Sequence, residues 1–320
     1  KSRSPERKLE GSFLVIASAS EVCDNSDCSH FLDSQWIALG SPAEARLQFI
    51  NCLTGSEHTY SFPDDENGVL AVAWAPDGNS LAIAREDAPL LIWGWALYEE
   101  TVIDVEGVHS LAYTPSGDKL VVWHDGFDDL PRITVVDSNS GTQRRSSALM
   151  SSGAFPFICR QIACSQCEDY IGIVGSDTAH SSAGLLLVYD IVHMRRRQRF
   201  KVGTWVVDVA YDPSGATIAV GSLTGIALCD VNLGSRASLL CDVAVCSLAY
   251  SPSGAYLAVG IARKDVLLVD VSSGTVVYSL PLPFHEDFCI ERLEFVRDIN
   301  TFQGFSDEEE RPESTDVFDD

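Results

Sequence analysis

The densest chemistry in this sequence is a run of arginines. Arg195, Arg196, Arg197 and Arg199, with Lys201 close behind, hold five of the 22 basic residues, and Arg144 with Arg145 repeat the theme upstream. A guanidinium grips a carboxylate or phosphate through two parallel N–H donors, so this patch is a candidate dock for an acidic peptide, a phosphorylated partner or an anionic lipid headgroup. Two cysteine clusters are the other candidate ligand sets: Cys159, Cys164 and Cys167, which include one C-x-x-C, and Cys23, Cys28 and His30 beside Asp24 and Asp27. A zinc site takes four ligands in paired short spacings, and neither cluster offers a second pair. No metal or other cofactor is therefore expected. The seven histidines are scattered, and no nucleophile elbow, P-loop, His-Glu-x-x-His, dinucleotide fingerprint or EF-hand loop occurs. Gly172-Ile173-Val174-Gly175 reads as a strand ending in glycine, without the helix that a phosphate cradle needs. No catalytic residue is assigned.

Composition narrows the classes further. At 320 residues, 46% hydrophobic and 21% charged, the chain has material for one large core. Its formal charge is −24, of which the segment Ser306 to Asp320 supplies eight acids against one arginine. The remainder is still strongly acidic, which argues against nucleic-acid binding through a general basic footprint. No apolar run reaches the ~18 residues of a membrane span, and the stretch Phe13 to Ala17 is too short for a secretory core. A membrane role is expected only as anionic lipid at the arginines. Ten cysteines, mostly inside apolar strand patterns, read as reduced, buried thiols, so a cytoplasmic or nuclear location is expected.

What must position these residues is a repeat. Val69 to Ala82, Val108 to Val121, Val206 to Ala219 and Val245 to Ala258 share the pattern V-x-x-[VL]-A-[WY]-x-P-[SD]-G-x-x-[LI]-[AV]. Pro-Ser-Gly pre-sets one turn dihedral and lets glycine take the left-handed one, so each copy reads as strand, turn, strand. A third strand then ends in an acid or its amide, with glycine four positions on: Asn51 with Gly55, Asp137 with Gly141, Asp230 with Gly234 and Asp270 with Gly274. Such side chains bond the turn backbone ahead of them, so these residues, with Asp190 in a degenerate copy, are assigned to turn structure. A fourth strand follows. Gly78 to Gly117 and Gly215 to Gly254 each span 39 residues, close to the ~40 to 45 of a four-stranded propeller blade.

With Val136-Asp137, Tyr189-Asp190 and Cys229-Asp230 where that signature has Trp-Asp, residues 35 to 305 resemble the WD-repeat and related propeller families. The departures are the missing Gly-His before each first strand and Trp93-Gly94-Trp95 closing the second unit. The resemblance implies an all-β propeller of four-stranded antiparallel blades, seven in number, and a scaffold that binds other proteins or peptides without catalysing a reaction. A propeller enzyme with a central-channel site, or a phosphoinositide adaptor using the arginines, are the alternatives. Lipid-binding propellers carry a Phe-Arg-Arg-Gly-type motif, which Met194 to Gln198 do not match.

The expected organisation is a disordered segment 1–11, a propeller over 12–305 and a disordered acidic tail 306–320. Blades are expected at 12–62, 68–106, 108–149, 156–202, 204–242 and 244–282, with a seventh beginning at Ile290 and closed by the N-terminal strand or left incomplete. Enlarged connections at His124 to Pro131, Ser146 to Phe157 and Ser176 to Ala183 should cluster on one face. There His124, Asp125, Phe127, Asp128, Phe155 and Phe157 form a candidate partner-binding set, since aromatics are enriched among interface anchors. The arginines should occupy a turn on the opposite face.

Overall fold

The structure is a computed structural model that describes residues 13–20, 28–30, 36–41, 45–51, 56–62, 67–94, 99–126, 130–148, 157–177, 183–262, 265–281 and 289–297. The expected terminal segments 1–11 and 306–320 lie outside these residues. No helix occurs among the described residues.

Among the described residues, twenty-six strands form six four-stranded sheets and one two-stranded sheet. Strand β1 is Phe13–Ser20. Blade one is β2 (Cys28–His30), β3 (Trp36–Ser41), β4 (Arg46–Asn51) and β5 (Glu57–Ser61). Blade two is β6 (Val69–Trp74), β7 (Ser80–Arg85), β8 (Leu90–Gly94) and β9 (Glu99–Ile103), and blade three is β10 (Val108–Tyr113), β11 (Lys119–Asp125), β12 (Pro131–Asp137) and β13 (Gln143–Ala148). The degenerate unit forms a full blade four from β14 (Phe157–Cys164), β15 (Tyr170–Asp177), β16 (Ala183–Asp190) and β17 (Arg195–Thr204). Blade five is β18 (Val206–Tyr211), β19 (Thr217–Ser222), β20 (Gly225–Asp230) and β21 (Arg236–Cys241), and blade six is β22 (Val245–Tyr250), β23 (Tyr256–Ile261), β24 (Asp265–Asp270) and β25 (Thr275–Pro281). The last strand, β26 (Cys289–Arg297), pairs antiparallel with β1, Phe13 opposite Arg297 and Ser20 opposite Cys289. Blade one therefore starts at Cys28 and not at residue 12, because the N-terminal strand closes the seventh sheet.

Blades stack face to face, and this decides the sequence pattern. The two middle strands of a blade are covered on both sides, so β7, β11 and β19 are buried almost throughout. The outer strand meets solvent, and β13 accordingly reads Gln143-Arg144-Arg145-Ser146. The cores are seams between neighbours: Phe49, Trp74 and Trp93 join blades one and two, and Trp123, Phe157 and Tyr189 join three and four.

The turns repeat in detail. Asp137, Asp190, Asp230 and Asp270 each accept two backbone N–H bonds from residues two and three positions on, at 2.7 to 3.1 Å. Asn51 is buried at the end of β4, and the turn after it, 52–55, lies outside the described residues. The Arg144 guanidinium on Asp137, helped by the Ser140 amide, holds that carboxyl down at about 2. Glu168 takes the place of the turn glycine in blade four at φ 59°, matching Gly117 at φ 80°. Its carboxylate accepts from the Ser116 amide and lies 3.4 Å from Lys119 Nζ, tying the degenerate blade to its neighbour.

A buried relay ties blades five, six and seven. Asp208 accepts from Val209 N at 2.7 Å, Ser247 Oγ at 2.9 Å and Leu248 N at 2.7 Å, and Ser247 Oγ in turn accepts from Leu293 N at 3.0 Å. Each inner strand thereby holds the backbone of the next.

Candidate partner-docking face

Alternating strand directions place the start of each first strand, the end of each second strand and the links between blades on one face. There a residue at the entry to the first strand accepts a bond from a residue at or just past the end of the second. Gly68 pairs this way with Glu86, Gly107 with Asp125, Trp205 with Leu223 and Ala244 with Ala262, at 2.9 to 3.3 Å. Just inside this point the first strands of blades two to six carry a bulge, placing Leu70, His109, Arg160, Val207 and Cys246 at equivalent positions of the innermost strands. These residues ring the mouth of the central channel.

This shared geometry exposes a difference between sectors. Blades two, three and six carry Gly68, Gly107 and Ala244 at the link position, whereas blades four and five carry Ile158 and Trp205, 53% and 50% exposed. Leu223 beside Trp205 is 48% exposed, and Val207 is exposed one step inward. Trp205 also adopts φ 52°, the left-handed region that Gly107 fills at φ 64°. A bulky side chain there costs about 1–2 kcal/mol of backbone strain and occupies a place where glycine would serve. The neighbouring sector, blades two and three, presents exposed Glu86, Asp87, Glu106 and Asp125 instead. Among the described residues the face thus presents Ile158, Trp205, Val207 and Leu223 with Arg160 over blades four and five, and four acids over two and three.

Only part of the set expected from sequence lies on this surface. Asp125 is exposed and pairs with His109 Nε2 at 2.7 Å. His124 is buried: Nδ1 donates to the Asp125 carbonyl at 2.9 Å, and Nε2 lies 2.8 Å from Thr134 Oγ1. Phe157 is not a surface anchor, because at 7% exposure its ring packs 5.5 Å from Trp123 in the seam between blades three and four. Phe127, Asp128 and Phe155 lie outside the described residues. Trp205 and Leu223 were overlooked. The aligned repeats held the signal, since the residue before the first valine reads Gly68, Gly107, Trp205 and Ala244.

The arginines do not form a turn. The turn is 191–194, and Arg195 begins the outer strand β17, so the patch lies on the circumference. Arg195 is 3.9 Å from Asp190, while Arg197 stacks 4.7 Å from the Tyr170 ring centre and donates to its hydroxyl. Arg144 is held on Asp137. Arg145, Arg196, Arg199 and Lys201 are exposed. Among the described residues no three potential metal ligands come together.

Two predictions arise here. Burial, the largest effect on His124, lowers its pKa below the usual 6.5. The neutral ring therefore contributes stability that is complete above pH ~6.5, the unfolded value, and is lost as pH falls through the folded value. Thermal stability of wild type should fall on acidification through this window, and His124→Gln should fall less steeply, as read by melting at stepped pH. Burial likewise raises the Cys159, Cys164 and Cys229 thiols, the last two to about 12, whereas Cys167 and Cys241 are exposed. A thiol reagent followed by peptide mapping should label Cys167 and Cys241 in the native chain and the other three only after denaturation. Fast labelling of Cys159 would contradict the seam packing.

No protein-family model matches the sequence, and no curated protein sequence matches it. Among solved structures, the chain is similar to the β-propeller domain of Cps50 (Swd1) from Myceliophteria thermophila, at 14% identity and TM-score 0.61, covering 85% of this chain and 91% of that one. It is also similar to hydrazine synthase from Kuenenia stuttgartiensis, at 16% identity and TM-score 0.66, covering 87% and 97%. At such identities the likeness shows the fold alone: a β-propeller of four-stranded antiparallel blades.

Proposed function

We propose that this propeller is a non-enzymatic interaction platform whose link face binds an extended peptide of a partner protein. The observation that carries the reading is the exposed apolar set of Ile158, Trp205 and Leu223, at positions where blades two, three and six have small or acidic residues, with exposed Val207 beside Trp205. Buried aromatic anchors dominate binding energy at interfaces, and a strained, half-exposed tryptophan is retained at a cost that its own fold does not require. The adjoining acids fix the other half of the ligand. A peptide seated across the channel mouth places an aromatic or aliphatic side chain over blades four and five and lysine or arginine beside Glu86, Glu106 and Asp125. Opposite charge sets orientation and association rate more than affinity.

The arginine patch supports the lipid or phosphate reading less well, because Arg195, Arg197 and Arg144 already have partners in the fold. Selection of a displayed random-peptide library on the purified chain tests the proposal. The expected consensus is an apolar anchor flanked by basic residues, with binding weakened by salt. An acidic or phosphate-dependent consensus would refute it.

A further inference from the structure

An outer strand divides its side chains between two seams, because residues opposite one another in an antiparallel pair point to the same face of the sheet. In blade three, Ile133 and Val135 enter the core shared with blade four, and their partners across the pair are Ser147 and Arg145. In blade four, Tyr189, Leu187 and Leu185 enter the same core, and their partners are Arg196, Arg199 and Lys201. The outer rim of this one seam therefore receives four cations from two blades, all of them exposed. Across the seam the Tyr189 hydroxyl donates to Ser147 Oγ at 3.2 Å.

The rest of the charge run goes elsewhere. Arg144 and Arg197 sit at the bulges of β13 and β17 and are held on Asp137 and Tyr170, and Arg195 stands beside Asp190 at the turn. The other outer strands offer no equivalent. β5, β9 and β25 contain no lysine or arginine, and β21 contains one, Arg236, whose guanidinium donates to the Lys201 carbonyl. Acids near the turn end of the seam are already engaged, Glu168 with Lys119 and the Ser116 amide, and Asp137 with Arg144.

The geometry points to a site at the rim of the seam between blades three and four for a compact ligand bearing several phosphates, gripped by Arg145, Arg196, Arg199 and Lys201. A guanidinium takes two phosphate oxygens at once. Side chains two residues apart on one strand face stand about 7 Å apart, so Arg199 and Lys201 meet separate phosphates. The ligand is compact because the chain carries a formal charge of −24, with Glu99 and Glu100 exposed on the outer strand of blade two. A long polyanion leaving the rim meets that field, whereas a small one stays among the cations. The site lies on the circumference, and it stands whether or not the link face binds a peptide.

Titration calorimetry of the full chain with inositol hexakisphosphate tests this, and saturable binding weakened by salt is expected. Changing Arg145→Gln and Arg196→Gln together should weaken it roughly tenfold or more, since each removes charge-assisted bonds. Arg195→Gln, from the same run but beside Asp190, should change it by less than about threefold. Thermal melting checks that the variants fold, and if the double variant does not, Arg145→Gln and Lys201→Gln singly should each weaken binding more than Arg195→Gln does. Flotation with phosphatidylcholine vesicles containing a phosphatidylinositol bisphosphate separates the sources. Flotation lost in the double variant assigns a lipid headgroup, and absence of flotation beside binding in solution assigns a soluble polyphosphate. Three results overturn the inference: no saturable binding, equal weakening by Arg195→Gln, or equally tight binding of an oligo-aspartate peptide of matched charge, which would make the rim a surface for acidic protein segments.

Discussion

Trp205→Ala is expected to weaken binding of a peptide selected on the link face by about 30-fold or more, the ~2 kcal/mol or greater loss typical of a central aromatic anchor. Leu223→Ser should cost several-fold, because Leu223 is joined to Trp205 by a backbone bond and adds its exposed side chain to the same apolar surface. The folded state tolerates both changes, since half of each side chain is already in solvent. For Trp205, loss of the buried half is partly offset because alanine is strained less than tryptophan at a left-handed φ. The matched control is Leu233→Ser, which removes an 80% exposed leucine from a turn on the opposite face and should leave affinity unchanged. Titration calorimetry with the selected peptide reads all three. Equal losses for Leu233 and Trp205 would mean that general surface apolarity, and not this sector, drives association.

Asp208→Ala is expected to be the most damaging single change to stability. The carboxylate accepts three bonds inside the fold, and two of the donors, Ser247 Oγ and Leu248 N, belong to the next blade. Bonds to a charged acceptor contribute ~1.5–3 kcal/mol each, and a buried donor left without a partner costs ~1–3 kcal/mol. A loss of roughly 3–5 kcal/mol follows, a large share of the ~5–15 kcal/mol that a folded domain has. Asp208→Asn should be intermediate, because its amide oxygen serves one side of the relay while its NH2 faces a donor on the other. Denaturant unfolding should rank wild type above Asn above Ala, and exchange should show β26 opening first, since Leu293 N is bonded to Ser247 Oγ. If Ala equals wild type, ring closure rests on apolar packing alone.

The blades were legible because their causes are local. A left-handed glycine after Pro-Ser, an acid capping a turn and a valine run between covered faces all act within a few residues and recur at constant spacing. Even the degenerate unit was placed correctly, although the substitute for its glycine, Glu168, works through a partner in blade three that no local pattern reveals. Ring closure was only half legible: β1 looked like the start of blade one, because its pairing with β26 joins opposite ends of the chain. The arginines misled for a related reason. A charge run reads as a turn in isolation, but an outer strand is solvent-facing on its edge and tolerates arginine at most positions. Phe157, expected at the surface, is buried, and Trp205, to which the sequence attached no role, is half exposed, because burial depends on the neighbouring blade. Phe157 finds Trp123 in blade three, and Trp205 stands at the rim beyond the seam.

Hydroxyl-radical footprinting of the full chain with and without the selected peptide tests the central claim most directly, since indole and aliphatic side chains are good reporters of solvent access. The account predicts that the peptide protects Trp205, Leu223 and Ile158 and leaves Leu233 and Tyr278 unchanged. Unaltered Trp205 oxidation alongside protection of the β17 arginine strand, or of no site on the link face, would contradict it.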